Sequence, residues 1–217
     1  MAKKKFQPAP ALVLQIEKAF AIFGYSKLTM RALAKECNFS TRALYFYFSN
    51  KEEAFRALVR FRNDLSITMG FAAGQRVWTT GGNALDILAE TINVRYGDTR
   101  RVANASPHLV ELNAEVFTRC NDIVTEVALR FEEQLAKLIV KLEDAGLLQL
   151  EAGVTAKQMA EALANGARGV NQRLPAVPPK DLAARYHEMC RFILYGGAEI
   201  EMTGKRTRPK SKMLKHK

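Results

Sequence analysis

The sequence predicts an all-α protein. Apolar residues recur at three- and four-residue spacing along nearly the whole chain, and no sustained run alternates as a half-buried strand would. Glycine, proline and helix-capping residues fall at the breaks between these runs. A polar leader ends at Pro8 and Pro10, and a first helix is expected from about residue 10 to Phe23, stopped by Gly24. Two short helices and a longer one follow before residue 75, and Thr79-Thr80-Gly81-Gly82 reads as a loop. A helix near residues 84–96 comes next. A new start follows at Ser106-Pro107, where serine can cap and proline suits the first helical position. From there Leu109, Leu112, Val116, Cys120, Ile123, Val127, Phe131, Leu135, Leu138 and Leu142 form one stripe ending at Gly146. Such a stripe predicts a rod of about 55–60 Å unless a kink interrupts it. One more helix is expected after Thr155 and another from the loop Pro175–Pro179 to about Gly196, while the last fifteen residues read as a disordered basic tail.

With 217 residues, 48% of them hydrophobic, the chain can bury a real core and fits one large domain or two small ones. The formal net charge of +11 points toward a polyanion. That charge is unevenly placed. Lys3, Lys4 and Lys5 near one end, and Lys205, Arg206, Arg208, Lys210, Lys212, Lys215 and Lys217 near the other, occupy stretches without an acid. Residues 6–62 hold nine Lys/Arg against four Asp/Glu, and residues 63–202 hold fourteen against eighteen. A body that is basic at one end and mildly acidic beyond it does not suit a uniformly basic DNA coat. Cys37, Cys120 and Cys190 are far apart, without a CxxC pair, so neither a disulfide framework nor a zinc knuckle is expected. No apolar run reaches the roughly 18 residues of a membrane span. The expectation is a cytoplasmic protein without membrane attachment or cofactor.

Residues 29–48, TMRALAKECNFSTRALYFYF, carry the functional signal. Thr29 can cap a short helix through about Glu36, with Met30, Leu33 and Ala34 facing inward. Asn38 is one of the few side chains that tolerates a left-handed turn. Ser40 can then cap a second helix that buries Leu44 and Phe48, leaving Thr41, Arg42, Tyr45, Phe46 and part of Tyr47 outside. Two short helices joined by a tight turn form a helix-turn-helix. Its outer aromatic cluster costs solubility unless it meets a partner, although aromatics at helical spacing taken alone are more often core. Arg42 suits guanine or phosphate, and tyrosine hydroxyls reach phosphate oxygens. Lys51, just past the second helix, could add a further bond to phosphate.

Residues 12–55 resemble the DNA-binding domain of TetR-family transcriptional regulators. The resemblance is carried by Phe20-Ala21 with Gly24-Tyr25, Thr29-Met30-Arg31, Leu33-Ala34, Phe39-Ser40, Leu44-Tyr45-Phe46-Tyr47-Phe48 and Lys51-Glu52, spaced without a gap. It implies DNA contacts at Thr29, Ser40, Thr41, Arg42, Tyr45, Tyr47 and Lys51, and Arg31 and Phe46 complete the candidate set. Asn38 stands where the family usually has glycine. Arg42 and Tyr47 depart from the usual small residue and histidine, so the reading helix is expected to recognise a different operator.

The expected organisation is a basic leader over 1–9, a helix-turn-helix domain over 10–56, an effector-binding and dimerisation domain over 57–202 and a basic tail over 203–217. By the same resemblance, the larger domain binds a small effector and pairs two copies of the chain on double-stranded operator DNA as a repressor; a mostly apolar lining would suit a hydrophobic or aromatic effector, as it would any bundle interior. Candidate pocket residues are Trp78, Tyr96, His108, Asn113, Phe117, Cys120 and Phe131, most of which suit ordinary core better than a ligand, with Asn165, Arg168 and Asn171 able to serve an anionic group or, at least as well, a solvated or interface-facing surface. Small residues Ala160, Ala164, Gly166, Ala167 and Gly169 would allow close helix approach at a dimer interface or within one chain. An enzyme is not expected. His187-Glu188 begins a zinc-protease pattern, but Arg191 occupies the second histidine position, and His108 and Glu111 make only an i,i+3 pair at a helix start. The remaining alternatives are a redox-responsive regulator acting through Cys37 and a nonspecific DNA-binding protein.

Overall fold

A computed structural model describes residues 6–97, 100 and 106–197. Among the described residues the chain is all helical, as its periodicity predicts. The elements are α1 (Pro10–Lys27), α2 (Met30–Glu36), α3 (Thr41–Leu44), α4 (Lys51–Thr79), α5 (Ala84–Ile92), a π-helical turn (Asn93–Gly97), α6 (Leu109–Arg119), α7 (Asn121–Asp144), α8 (Ala156–Gln172), a 3-10 turn (Pro179–Asp181) and α9 (Leu182–Tyr195). The expectations for Lys3–Lys5 and for the basic tail lie outside the described residues.

Local chemistry accounts for most of the boundaries. Pro10 opens α1, and Gly24 leaves helical geometry at φ 73°, so the regular helix ends at Phe23 before one further turn. Asn50, Asn83 and Thr155 accept backbone N–H bonds at the starts of α4, α5 and α8, the last in a capping box with Gln158. Gly146 and Gly196 close α7 and α9 at φ 69° and 74°.

Three expectations need correction. The helix expected over 84–96 is α-helical only to Ile92 and widens into the π turn. Ser106 does not cap a helix at Pro107: its hydroxyl donates to the Ala21 carbonyl and accepts from the His108 N–H, and the helix starts at Leu109. The single rod over 109–142 is two helices, broken at Cys120 (φ −128°, ψ 17°). Arg56 explains why the break is tolerated. Its guanidinium donates both to the Arg119 carbonyl and to Asp122, satisfying groups on either side of the break.

Helix α4 is the spine of the molecule, packing on α1, α5 and α7, while α7 packs on α8 and α9 on both α5 and α8. Its approach to α5 depends on Gly74, where a Cβ would stand 2.0 Å from Thr91 Oγ1. Gly74→Ala is expected to cost about 1–2 kcal/mol net, because overpacking outweighs the gain in helix propensity. Adding Thr91→Ala removes the colliding oxygen and should recover most of that loss. Denaturant melts of the two single variants and the double variant test this, and additive destabilisation would refute the close approach.

Candidate nucleic-acid interface

The reading head is assembled by two capped helices. The Ala32 N–H donates to Thr29 Oγ1 at 3.2 Å, and the Ala43 N–H donates to Ser40 Oγ at 3.1 Å. Between them Asn38 takes the left-handed conformation at φ 56°, as the turn demands. Leu33, Ala34, Leu44 and Phe48 are buried, and Met30 packs partly against them. The second helix is shorter than expected: α3 ends at Leu44, and the chain tightens into 3-10-like bonds from Phe46 N–H to the Ala43 carbonyl and Tyr47 N–H to the Leu44 carbonyl.

This geometry sorts the candidate DNA-facing residues. Arg31, Arg42, Tyr45 and Phe46 are exposed, with Tyr45 and Phe46 retaining 50% and 48% of their surface, so they form the outward face together with partly exposed Thr41. Thr29 and Ser40 are exposed caps whose oxygens already accept backbone bonds. Tyr47 is half-buried, set edge-on to Phe39 at 6.0 Å and tilted against Phe6 at 6.4 Å. Lys51 turns inward. Its Nζ donates to the Tyr25 carbonyl at 2.7 Å and sits 4.3 Å from the Tyr25 ring centre, and burial lowers its pKa.

The charge of the domain is also redistributed. Arg56, Arg60 and Arg62 bond Asp122, Glu126 and Glu17, whereas Lys27, Arg31, Lys35 and Arg42 are exposed and meet no carboxylate among the described residues. Positive charge without a carboxylate partner is therefore left at Lys27, Arg31, Lys35 and Arg42.

Two groups of interactions tie this head to the rest of the molecule. Along α4 and α7, Arg56–Asp122, Arg60–Glu126 and Asp64–Arg130 repeat with one register, continued by Glu52–Arg119 from α6. Pairs this open to water are screened and offset by the ordering of long side chains, so the ladder fixes register more than it adds stability. The second group joins α6 to the end of α1. The Ser26 N–H donates to Glu111 Oε1 at 2.7 Å and holds that carboxyl below the usual glutamate range, while His108 Nε2 lies 3.1 Å from the Ile22 carbonyl. Gly24 is required beneath this latch, since a Cβ there would stand 2.3 Å from Glu111 Oε2.

The pocket candidates do not form one site. Tyr96 and Phe131 meet edge to face at 5.6 Å, Phe71 joins Phe131 at 5.6 Å, and the Arg95 guanidinium lies over both the Tyr96 and Phe131 rings. Arg168 bonds Glu132 and Asn165 and also acts on Tyr96, whose pKa is raised chiefly by burial. Asn171 accepts from the Tyr186 hydroxyl. Trp78 lines a separate groove of about 290 Å³ with Phe71, Gln75, Gln134, Lys137, Leu138 and Lys141. His108 faces α1, Cys120 is buried at the α6–α7 break, and Asn113 and Phe117 are exposed on α6. Sequence reasoning missed buried Arg95, which bonds Ser66 and Asn63. Only Val94 and Tyr96 flank it as apolar neighbours, with Glu90, Asp98, Arg100 and Arg101 close by, so nothing in the sequence marks this charge as buried.

The small-residue stripe on α8 works mainly within the chain. Ala160, Ala164 and Ala167 are fully buried, and Gly166 faces Met189 and Ile193 of α9, leaving Gly169 in open space. The residues of the incomplete zinc pattern are engaged elsewhere, His187 with Asp86 at 3.0 Å and Glu188 with Arg185 at 2.7 Å. Cys37 is buried, and desolvation pushes its thiol up to about 11. Cys120 and Cys190 are raised to about 11 and about 12 for the same reason. None of the three is expected to react with an aromatic disulfide reagent at pH 7 until the protein unfolds. A single fast thiol in the native protein, absent from Cys37→Ser, would revive a redox role.

Residues 15–58 match the family model described as "Bacterial regulatory proteins, tetR family". No curated protein matches the chain in sequence. Among solved structures, a TetR/AcrR-family transcriptional regulator from Thermobifida fusca is similar, with 16% identity, TM-score 0.61 and coverage of 87% of this chain and 97% of that one. A transcriptional regulator from Cytophaga hutchinsonii gives 19%, 0.62, 84% and 94%. The Thermus thermophilus repressor FadR, solved with lauroyl-CoA, gives 15%, 0.57, 91% and 98%. At such identities these likenesses establish a shared fold, extending well beyond the reading head. Residues 15–58 are thus similar to the N-terminal DNA-binding domain of the tetR family, and the rest of the chain shares the fold of these regulators.

Proposed function

We propose that the protein is a transcriptional repressor that binds a palindromic operator as a homodimer and leaves it when a small effector occupies the larger domain. The observation that carries the reading is the outward face of Thr41 and Arg42 on the capped helix α3, continued by Tyr45 and Phe46 in the turn that follows it. A head of this shape places a short helix in the major groove, with the arginine at base edges and the aromatic residues over the sugar-phosphate backbone. Pairing of two chains is supported by exposed apolar residues on and before α9, Leu174 in the preceding loop and Phe192 and Tyr195 in its last turn, which keep 90%, 44% and 66% of their surface.

Effector control follows from the connections of the head. Helix α4 runs from the head through the larger domain, and the Glu111–Ser26 latch holds α1 to α6. A ligand that shifts α6 or α7 changes the spacing of the two heads, and linkage converts this into lower DNA affinity. The groove beside Trp78, about 290 Å³, is just below the usual range of site volumes and offers Phe71, Trp78 and Leu138 to an apolar part of a ligand, with Lys137 and Lys141 at its polar side. FadR, whose structure contains lauroyl-CoA, lends the reading a precedent for an effector with an apolar part.

Selection of bound duplexes from a random pool tests the reading. The expected product is an inverted repeat bound roughly 10³-fold or more tightly than random DNA. Equal binding to all duplexes would replace it with a nonspecific DNA-binding protein. Trp78, the only tryptophan, provides a fluorescence readout for effector screening.

A further inference from the structure

We infer that the groove between α4 and α7 takes a small anionic amphipath, a carboxylate on an aromatic or alkyl body, with the carboxylate held at Lys137 and Lys141. This inference rests on the effector-binding reading above and names the ligand class of that same groove. The charge pattern along the two helices carries it. Arg56–Asp122, Arg60–Glu126 and Asp64–Arg130 all pair residues 66 positions apart, so α4 and α7 run parallel and each rung matches a cation with an acid. Continued along both helices, the same register sets Phe71 beside Lys137 and Gln75 beside Lys141, and all four line the groove. The ladder therefore stops where α4 supplies a ring and an amide in place of a carboxylate.

Two cations on one face of α7 are left along a groove that no acid lines. Lys137 meets Glu133 on its own helix in a pair open to water, and Lys141 meets no carboxylate among the described residues. Like charges four residues apart on a helix repel, and an anion between them relieves that repulsion. The other side of the groove is apolar. Phe71, Trp78 and Leu138 are half-buried and pack against the core, leaving part of each open. From Phe71 to Trp78 α4 rises about 10 Å, which accommodates a ring or a short alkyl chain lying along the helix. Burial of that body supplies most of the affinity, while the exposed lysines select the charge of its polar end. The ring of Phe71 also meets Phe131 at 5.6 Å, so a body resting on it touches the aromatic centre of the larger domain.

The test titrates the full chain with decanoate, decanol and decylammonium, which share one apolar body and leave the fluorescence of Trp78, the only tryptophan, unmasked. Decanoate is expected to bind about 5-fold more tightly than decanol, the size of effect an exposed ion pair gives, and decylammonium more weakly than either. Raising salt from about 0.02 M to about 0.5 M should shrink the decanoate advantage without weakening decanol. In K137Q/K141Q, decanoate should fall to the affinity of decanol, and in K137E/K141E decylammonium should become the preferred probe. Both lysines are exposed, so the melting temperatures of these variants should match the parent. Leu138→Ser should weaken all three probes alike, and parental binding in it overturns the placement of the body. Equal binding of the three probes, or a decanoate preference that survives in K137Q/K141Q, overturns the anion site. The absence of any saturable Trp78 response overturns the groove as a ligand site. Release of the selected operator is measured separately: lysine-dependent decanoate binding with unchanged operator affinity upholds the anion site and removes the effector role, so the two readings fail independently.

Discussion

Alanine at position 20 is expected to lower the stability of the protein by about 3–5 kcal/mol, the range for truncating a buried phenylalanine. Phe20 retains 1% of its surface at the centre of the reading-head core. Its ring stacks on Tyr25 at 5.9 Å and meets Phe55 of α4 edge to face at 5.0 Å, while Tyr25 also meets Phe55 at 5.1 Å. Such pairs add about 0.5–1.5 kcal/mol each beyond their buried area. Truncation removes one vertex of the triangle and opens a cavity between α1 and α4. It also loosens Tyr25, whose carbonyl and ring hold Lys51 and whose ring lies under Arg119. Phe20→Leu conserves most of the volume and should cost less than about 1.5 kcal/mol. Urea denaturation of both variants measures the difference. A Phe20→Ala protein as stable as the parent would contradict the packing described.

Arg42→Ala is expected to remove discrimination at one base position in each half-site. The side chain is exposed on the second residue of α3, behind the Ser40 cap, and meets no carboxylate among the described residues. If both guanidinium donors engage one guanine, the loss is about 1–3 kcal/mol per half-site, or about 5- to 150-fold. A phosphate-only role gives a different result, weakening all sequences alike and reducing the salt slope by about 1. Comparing affinities for single-base operator variants distinguishes them. An unchanged base profile would remove Arg42 from the reading set. Arg42→Lys should fail to restore discrimination, since lysine lacks the planar fork.

The helix-turn-helix was legible because its determinants are local. Thr29, Asn38 and Ser40 act on backbone groups within three residues, and Leu33, Leu44 and Phe48 declare the buried side by spacing alone. Gly24, Gly146 and Gly196 marked helix ends for the same reason. The break at Cys120 was not legible, because the apolar stripe continues across it and the group that tolerates it, Arg56, comes from 63 residues away. The α8 stripe was legible as close packing but not as to partner. Small residues permit approach by any helix, and in this chain α8 meets α7 and α9.

The sequence by itself determined the all-helical class, the reading head with its caps and turn, and the basic excess at that end of the chain. Only the tertiary structure decided which charges remain for a partner: Arg56, Arg60 and Arg62 join carboxylates and Lys51 turns to Tyr25, while Arg31, Lys35 and Arg42 stay exposed. It likewise decided that Tyr96, Phe131 and Arg168 come together while Trp78, His108 and Phe117 lie elsewhere. The physical reason is one of range. Capping and turn geometry are settled within a few residues, whereas ion pairs and ring packing depend on which distant helix faces the side chain after the chain has folded.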